Sequence, residues 1–181
     1  NIWISYYGEG LKLLDRDKTP VLHIYEGENG LRSNVLLTMY EDKKGNFWVG
    51  TKERGLHLFD RDSRTFTNYT IKDGLPSNDI KGILEDDHGT LWISTLNGIS
   101  AFDPETEDFT NYNTGDGLQG REFNTLAYYK DRQGYMYFGG INGFNRFHPD
   151  SIESSAYAYP MVFTDFKIFN KSVPVGEGSP I

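Results

Sequence analysis

Residues 45–51 have the sequence GNFWVGT, and the same pattern returns along the chain at a nearly fixed interval. It recurs as GTLWIST at 89–95 and as GYMYFGG at 134–140, and a shorter copy, NIWIS, occupies 1–5. The aromatic residues at the centres of the copies lie 45, 44 and 45 residues apart. They are Trp3, Trp48, Trp92 and Tyr137. A repeat of this length is typical of solenoids and propellers.

Each period divides into four short predicted strands. In the third copy these are Ile80–Glu85, Thr90–Ser94, Gly98–Phe102 and Asp108–Tyr112, which are rich in aromatic and β-branched residues. Asp-x-x-Gly and Asn-Gly sequences separate them and favour tight turns, because Gly and Asn tolerate a positive φ. No long stretch has the apolar spacing of an amphipathic helix. The sequence therefore predicts an all-β fold, a partial β-propeller with three to four blades of four antiparallel strands.

Both ends of the repeat are incomplete. The first copy lacks its innermost strand, and the last copy has three predicted strands, Phe123–Tyr129, Tyr135–Gly139 and Gly143–Phe147. Closed propellers have about 4–8 blades, and an open arc would expose an apolar blade face at each end. We therefore expect the chain to be part of a longer polypeptide, with Trp48 and Trp92 equivalent and buried between blades.

The repeat stops near residue 150. Residues 1–150 are predicted to form the blades, and the polar segment 151–159 a connector. From Pro160 to Phe169, apolar and polar residues nearly alternate, as in one long strand. We interpret residues 160–181 as the start of a separate β domain, in which Pro160–Phe169 pairs with strands outside the blades.

Composition narrows the class of function. The 18 Lys and Arg residues are outnumbered by 26 Asp and Glu residues, which gives a net charge of −8. This argues against nucleic-acid binding, which needs a basic face, and against docking on an anionic membrane. The absence of cysteine from the sequence excludes disulfides, Cys-ligated zinc and thiol nucleophiles. No apolar run reaches the roughly 18 residues of a membrane-spanning helix.

No motif indicates catalysis or metal binding. The four histidines form no His-x-His or i, i+4 pair, so we interpret them as surface or filler residues. The Asp-Arg-Asp sequences at 15–17 and 60–62 begin like a calcium loop but lack its glycine and distal glutamate. They are predicted to cap their own turns. We expect no catalytic residue, no metal and no cofactor here. The histidines are His23, His57, His88 and His148.

Ligand binding is indicated on one face of the blades, where second-to-third-strand loops and blade-to-blade linkers meet. Residues that recur there are expected to hold the fold, so we interpret Asn34, Asn78 and Asn124 as turn or cap residues. One asymmetric ligand cannot use the same side chain in every blade, so the candidates are residues that break the repeat. Tyrosine rings and charged groups suit a sugar, through stacking and hydrogen bonds to hydroxyls. The candidate ligand-binding residues are Tyr6, Tyr7, Lys52, Arg54 and Arg121.

The second copy carries the most complete set of repeat residues. They are Asn34, Glu41-Asp42, Gly45, Trp48, Gly50-Thr51, Gly55-Leu56, Phe59-Asp60, Phe66-Thr67, Tyr69 and Asp73–Asn78. This pattern resembles the two-component regulator propeller repeat. The last copy departs from it, because Gly117–Asn124 is longer and Tyr137 replaces Trp. Phe144–Phe147, Pro149 and Phe169–Lys171 resemble the junction into the small Ig-like β-sandwich of this family.

The resemblance implies the periplasmic sensor region of an inner-membrane two-component sensor histidine kinase, often a hybrid one. Many relatives are similar to receptors for oligosaccharides released from polysaccharides. The implied partners are an oligosaccharide or other small ligand, the remaining blades and β-sandwich of the same polypeptide, and a second copy in a homodimer. This segment is not expected to be an enzyme.

Two other functions remain open from the sequence. Antibiotic-cleaving lyases with similar propeller repeats use a His, a Glu and a metal on the loop face. Such a lyase should place His and acidic residues in these loops and end with the propeller, whereas this sequence does neither. A protein-interaction scaffold without a small ligand is not distinguished from a sensor.

Overall fold

The computed structural model describes residues 2–152 and two short strands at 167–168 and 171–172. Within this part, the protein consists of successive antiparallel sheets, and we number those that carry the repeat as blades 1 to 4. The helical segments there are two single 3₁₀ turns, Thr114–Asp116 and Pro149–Ser151. No helix of the described residues is long and apolar enough to cross a membrane.

Blades 2 and 3 have four strands each, in sequential order across the sheet. Their first strands lie side by side and form the inner edge. The strands of blade 3 agree with the predicted ones to within one residue at each end. Blade 2 contains β4 (Leu36–Glu41), β5 (Phe47–Thr51), β6 (Leu56–Asp60) and β7 (Thr65–Tyr69). Blade 3 contains β8 (Ile80–Glu85), β9 (Leu91–Thr95), β10 (Gly98–Asp103) and β11 (Asp108–Tyr112).

Blades 1 and 4 each have three strands within the described residues. Trp3 lies on the first described strand of blade 1, so this strand holds the position of β5. The described residues include no strand of blade 1 at the position of β4, in agreement with the prediction. Blade 1 contains β1 (Ile2–Tyr6), β2 (Gly10–Leu14) and β3 (Pro20–Ile24). Blade 4 contains β12 (Phe123–Lys130), β13 (Met136–Gly140) and β14 (Gly143–Phe147).

A further two-stranded sheet pairs β15 (Lys167–Ile168) with β16 (Lys171–Ser172) in antiparallel orientation. Most of the connector expected at 151–159, and the rest of the β domain expected at 160–181, lie outside the described residues. The expected pairing of Pro160–Phe169 with strands outside the blades therefore stays a prediction.

Apolar side chains are concentrated between neighbouring blades, and each such cluster includes one repeat tryptophan. Trp3 stacks on Phe47 with a centroid distance of 4.6 Å between blades 1 and 2. Trp48 meets the edge of Phe102 at 5.7 Å between blades 2 and 3, and Trp92 lies between blades 3 and 4. Trp48 and Trp92 are only 1% and 4% exposed, which confirms that they are equivalent and buried.

Within the part of the chain that the structure describes, one face of blade 4 is not covered. Phe138 and Phe147 point towards blade 3, whereas Tyr129, Tyr137 and Phe144 pack together on the other side of the sheet. Tyr129 and Phe144 are more than half exposed. This is the bare apolar face expected at the end of an open arc.

The turns between the first and second strands share one face, which we call the turn face. In blade 2, Asp42 Oδ1 accepts hydrogen bonds from the backbone N–H groups of Lys44 and Asn46, at 3.0 and 2.8 Å. Its other oxygen, Oδ2, accepts one from Trp48 Nε1 at 2.9 Å. One buried carboxylate thus shapes the turn and satisfies the indole N–H. The turn face comprises residues 42–46, 86–90 and 131–135.

The same arrangement recurs in the next two blades. Asp86 Oδ2 accepts from Trp92 Nε1 at 2.9 Å, and Asp131 Oδ2 accepts from the Tyr137 hydroxyl at 3.1 Å. The departure of the last copy from the repeat therefore preserves the hydrogen bond. This shared contact explains why an Asp and a Trp or Tyr recur together.

Lysines also tie three blades together on the turn face. Lys43 Nζ donates to the carbonyl oxygen of Asp86 at 2.9 Å and to Asp87 Oδ1 at 3.2 Å. Lys130 of blade 4 donates to Asp87 Oδ1 at 2.9 Å. The hydrogen bonds from Lys130 and Lys43 lower the pKa of Asp87 to about 2. Blades 2 and 4 thus both hold the first turn of blade 3.

Candidate ligand-binding site

The opposite face, which we call the loop face, combines second-to-third-strand loops with the linkers between blades. Backbone hydrogen bonds join each loop to the following linker: Gly55 N–H donates to the Asn78 carbonyl at 2.8 Å, and Gly98 N–H donates to the Arg121 carbonyl at 2.7 Å. The two kinds of segment therefore share one face, as the sequence predicts. The loops are 7–9, 52–55, 96–97 and 141–142, and the linkers are 25–35, 70–79 and 113–122.

A glycine at the end of the loop permits this close approach. Gly55 has a φ of +85°, and a Cβ atom there would lie 2.1 Å from the carbonyl oxygen of Tyr69. Gly98 is equivalent, with a φ of +98° and 2.2 Å to the carbonyl oxygen of Tyr112. Only glycine fits both constraints, so the recurring glycine sets where each loop lies.

The linkers are held by recurring asparagines. Asn34 Oδ1 accepts from the backbone N–H of Glu26 at 2.6 Å, and Asn78 Oδ1 accepts from that of Ile71 at 2.9 Å. These bonds confirm the structural interpretation of both residues. The same interpretation of Asn124 is wrong, because Asn124 is an exposed residue within β12. The linker residue at the position of Asn78 is Arg121, whose carbonyl accepts from the Gly98 N–H.

His57 has a structural role that its interpretation as a surface or filler residue missed. The side chain is fully buried, and Nε2 accepts a hydrogen bond from the backbone N–H of Arg32 at 3.3 Å. Burial lowers the pKa of His57 from 6.5 to about 4, so the ring is neutral and able to accept at neutral pH. His57 thus anchors the linker between blades 1 and 2.

Neighbouring blades vary this anchor in a coordinated way. In blade 4, Asn145 holds the position of His57 and accepts from the Gln119 N–H at 2.9 Å. In blade 3 the linker residue is Pro76, which has no N–H to donate. There Ser100 takes the position of His57 and donates to Asn111 Oδ1 at 2.7 Å instead. The position of His57 therefore carries an acceptor side chain where the linker residue has an N–H group, and a serine where the linker residue is a proline.

An open cavity of about 480 Å³ lies on the loop face, and we call it the inter-loop groove. Its walls are the two linkers of blade 2 and the loop between them. Residues 26–27 and 31–32 come from the first linker, 53–54 from the loop, and 70–72 with Asn78 from the second linker. The volume falls within the range of small-molecule sites.

Of the five residues expected to bind ligand, only Arg54 lines the groove. Lys52 is adjacent, with Nζ 3.7 Å from Glu53 Oε1. Tyr6 and Tyr7 lie in the blade 1 loop and are 58% and 77% exposed, and Arg121 is exposed in the linker before blade 4. The structure does not gather the five into one cavity, and their contact with a ligand stays a prediction.

The groove adds four charged residues outside the five candidates, Glu26, Arg32, Glu53 and Lys72. All four break the repeat, so the same signal could have identified them. With Arg54, the lining contains three cations and two carboxylates. Within the described residues, none of the three cations has a carboxylate oxygen within 4.0 Å.

The four histidines do not form one cluster, although His88 and His148 both lie within 4.0 Å of the Asp150 carboxylate. His23 Nε2 lies 2.8 Å from the carbonyl oxygen of Glu9, and His88 Nε2 lies 3.1 Å from Asp150 Oδ1. Among the described residues, no group of three or more His, Cys, Asp or Glu side chains is placed to hold a metal ion.

The Asp-Arg-Asp sequences form turns, as expected. Asp60 Oδ1 accepts from the backbone N–H groups of Asp62 and Ser63, both at 2.8 Å. Asp15 Oδ1 accepts from those of Asp17 and Thr19, at 2.9 and 2.8 Å. These carboxylates are occupied by their own backbone, which confirms their interpretation as turn caps.

Comparisons with known proteins agree with the repeat. The sequence profile of the family described as two component regulator propeller matches residues 30–53 and 74–97. Histidine kinase P4 of Formosa agariphila is 32% identical over 167 residues, which are 92% of this chain and 12% of that protein. The chain therefore spans a small part of this relative.

Solved structures are also similar to this chain. The extracellular domain of the hybrid two-component system BT3049 from B. thetaiotaomicron is 28% identical, with a TM-score of 0.79 over 97% of this chain and 25% of that one. Virginiamycin B lyase from Staphylococcus aureus is 12% identical, with a TM-score of 0.55 over 82% of this chain and 52% of that one. At this identity the lyase shares the fold alone. The chain carries the repeat of the two-component regulator propeller family.

Proposed function

We propose that this chain is part of the periplasmic sensor region of an inner-membrane two-component sensor histidine kinase, and that its loop face binds an oligosaccharide. The related two-component proteins support the signalling role. The observation that carries the ligand proposal is the inter-loop groove, because its charged side chains break a repeat that is otherwise used to hold the blades.

The lining of the groove suits a sugar. Arg32, Arg54 and Lys72 are hydrogen-bond donors, and Glu26 and Glu53 are acceptors. The second linker adds the exposed apolar surface of Ile71, which is 58% exposed. A sugar ring presents hydroxyls on its edge and C–H groups on its faces, so it can use both kinds of surface.

Signalling would proceed by a population shift. A bound oligosaccharide would favour one arrangement of the propeller and the following β-sandwich in a homodimer, and the receptor would transmit that preference across the membrane. The chain itself would supply binding and no catalysis. The blades would end near residue 150, a connector would follow at 151–159, and the Ig-like β-sandwich would begin at 160.

Calorimetry of the intact sensor region against a panel of oligosaccharides tests the ligand. We expect saturable binding of at least one member, and we expect that member to raise the unfolding temperature of the sensor region. Absence of binding across neutral and acidic members would overturn the oligosaccharide proposal and leave a protein-interaction scaffold as the better account.

Limited proteolysis of the same region tests the domain division. Exposed connectors are cut first, so we expect early cleavage within 151–159. Early cleavage distributed over residues 2–150 would contradict the boundary.

A further inference from the structure

We propose that the inter-loop groove selects an acidic sugar, one with a carboxylate or sulfate group, and that Arg32, Arg54 and Lys72 recognise its negative charge. This inference rests on the proposed function and specifies the ligand of the same groove. The repeat provides an internal control, since each of the three cations has a counterpart one blade further along.

The counterparts follow from the framework that both blades share. Arg32 comes directly after a buried leucine of the first linker, and its counterpart in the second linker is Pro76. Arg54 directly precedes Gly55, and Asn97 directly precedes Gly98.

The third cation is placed in the same way. Lys72 precedes Asp73, whose carboxylate accepts from the N–H of Thr70 at 2.8 Å. Gly115 precedes Asp116, whose carboxylate accepts from the N–H of Asn113 at 2.8 Å. The three cations of the groove therefore correspond to Pro76, Asn97 and Gly115, none of which carries a charge. The three cations are therefore not repeated at their own positions, although the counterparts of the lining residues Gly27 and Asn78 in the next blade are Lys72 and Arg121.

These cations are not needed to hold the fold. Each side chain is exposed, and none has a carboxylate partner within 4.0 Å among the described residues. The linker contact at Arg32 is made by its backbone N–H, which donates to His57, so the guanidinium is not used there. Three cations without such partners on a chain of net charge −8 are available to a ligand.

The two carboxylates of the lining do not cancel this charge. Glu53 lies 3.7 Å from Lys52, so that pair is internally balanced. The remaining carboxylate, Glu26, balances only one of the three cations, so the groove keeps a net positive charge. Arginine binds a carboxylate or sulfate through two parallel N–H bonds, whereas a neutral sugar offers no group that uses both charge and geometry. Glu26 is then an acceptor for the sugar hydroxyls.

The test is calorimetry of the intact sensor region with matched ligand pairs. The acidic members are uronic-acid oligosaccharides and sulfated oligosaccharides, and each neutral member is the same compound after carboxyl reduction or desulfation. We expect an acidic member to bind at least about tenfold more tightly than its neutral partner, with affinity falling as salt rises.

Each variant introduces the residue found at the equivalent position of another blade, so that the fold is retained. Arg54→Asn uses the residue found at 97, and Arg32→Gln uses the residue found at 119. Each should weaken acidic binding about ten- to hundredfold and leave neutral binding little changed. Arg132→Gln removes the same charge from the turn face and should change neither.

The outcomes separate this inference from the proposed function. Equal affinity for acidic and neutral partners would overturn the acidic preference and leave the oligosaccharide proposal intact. Binding to no member would overturn both. Acidic binding that is unchanged in both groove variants would overturn the inference, because the charge would then be recognised elsewhere.

Discussion

On the turn face, a hydrogen bond from a repeat aromatic residue to an aspartate occurs in three consecutive blades, whereas on the loop face the three cations of the groove are not repeated at the same positions in the next blade. Asp42–Trp48 and Asp86–Trp92 have the same N–O distance of 2.9 Å. By contrast, Arg54 is replaced one blade along by Asn97. The difference indicates a division of labour, in which recurring side chains stabilise the blades and non-recurring ones are free to recognise a ligand.

The largest effect on stability is expected when a recurring, buried side chain is removed. Trp48→Ala should lower the free energy of unfolding by about 3–5 kcal/mol, because it removes a large buried side chain between two blades. Denaturant unfolding of the intact sensor region measures this. Tyr137→Ala, at the uncovered face of blade 4, should cost clearly less. An equal loss at both positions would contradict the contrast between covered and uncovered faces.

A pH effect on stability is expected at His57, a buried strand residue that holds a linker of the loop face. Because its pKa is lowered from 6.5 to about 4 by burial, the unfolded chain binds this proton more readily than the folded one. This contribution to the free energy of unfolding should therefore be constant above pH 6.5 and decrease as the pH falls towards 4, by roughly 3 kcal/mol at most.

His57→Asn is the matched control for that effect. Asn145 makes the same linker contact in blade 4, so the variant can keep the acceptor without the titration. Stability curves measured against pH should be flatter for the variant than for the parent between pH 6.5 and 4. Parallel curves would show that His57 does not set this dependence.

A smaller effect on stability is expected within the turn face, where the partners of Asp86 and Asp131 can be compared. In Asp86→Asn, one carboxylate oxygen becomes an N–H₂ group. In one orientation of the amide this group faces the Trp92 N–H, and in the other it faces the backbone N–H donors. An indole can only donate, so the variant should lose about 2 kcal/mol of stability.

Asp131→Asn is the paired variant. The Tyr137 hydroxyl can rotate and accept a hydrogen bond from the new amide, so the loss there should be below about 1 kcal/mol. Thermal unfolding compares the two. A larger loss at Asp131 than at Asp86 would overturn this explanation of the Trp-to-Tyr change.

The smallest expected effect concerns the loop face. Arg54→Asn should change the free energy of unfolding by less than about 0.5 kcal/mol, as is usual for an exposed residue without a structural partner. The same denaturant unfolding measures it. A loss comparable with that of Asp86→Asn would place Arg54 among the residues that hold the blades.

The amino-acid sequence by itself determined the repeat, the four-stranded blades and the burial of Trp48 and Trp92. These features depend on local signals, namely the alternation of side chains along a strand and the turn preferences of Gly, Asn and Asp. The same local signals identified Asp60 as a turn cap. They also pointed to the loop face and to Arg54, because a departure from a repeat is visible without any structure.

Only the tertiary structure decided which of those departures share a cavity. The inter-loop groove is made by two linkers and one loop, so Arg32, Arg54 and Lys72 meet through packing between blades and not through spacing in the chain. The role of His57 depends on a linker N–H 25 residues away, and the error at Asn124 arose because Arg121 holds the position of Asn78 in the third linker. Long-range contacts of this kind follow from how whole blades pack, and a single repeat does not encode them.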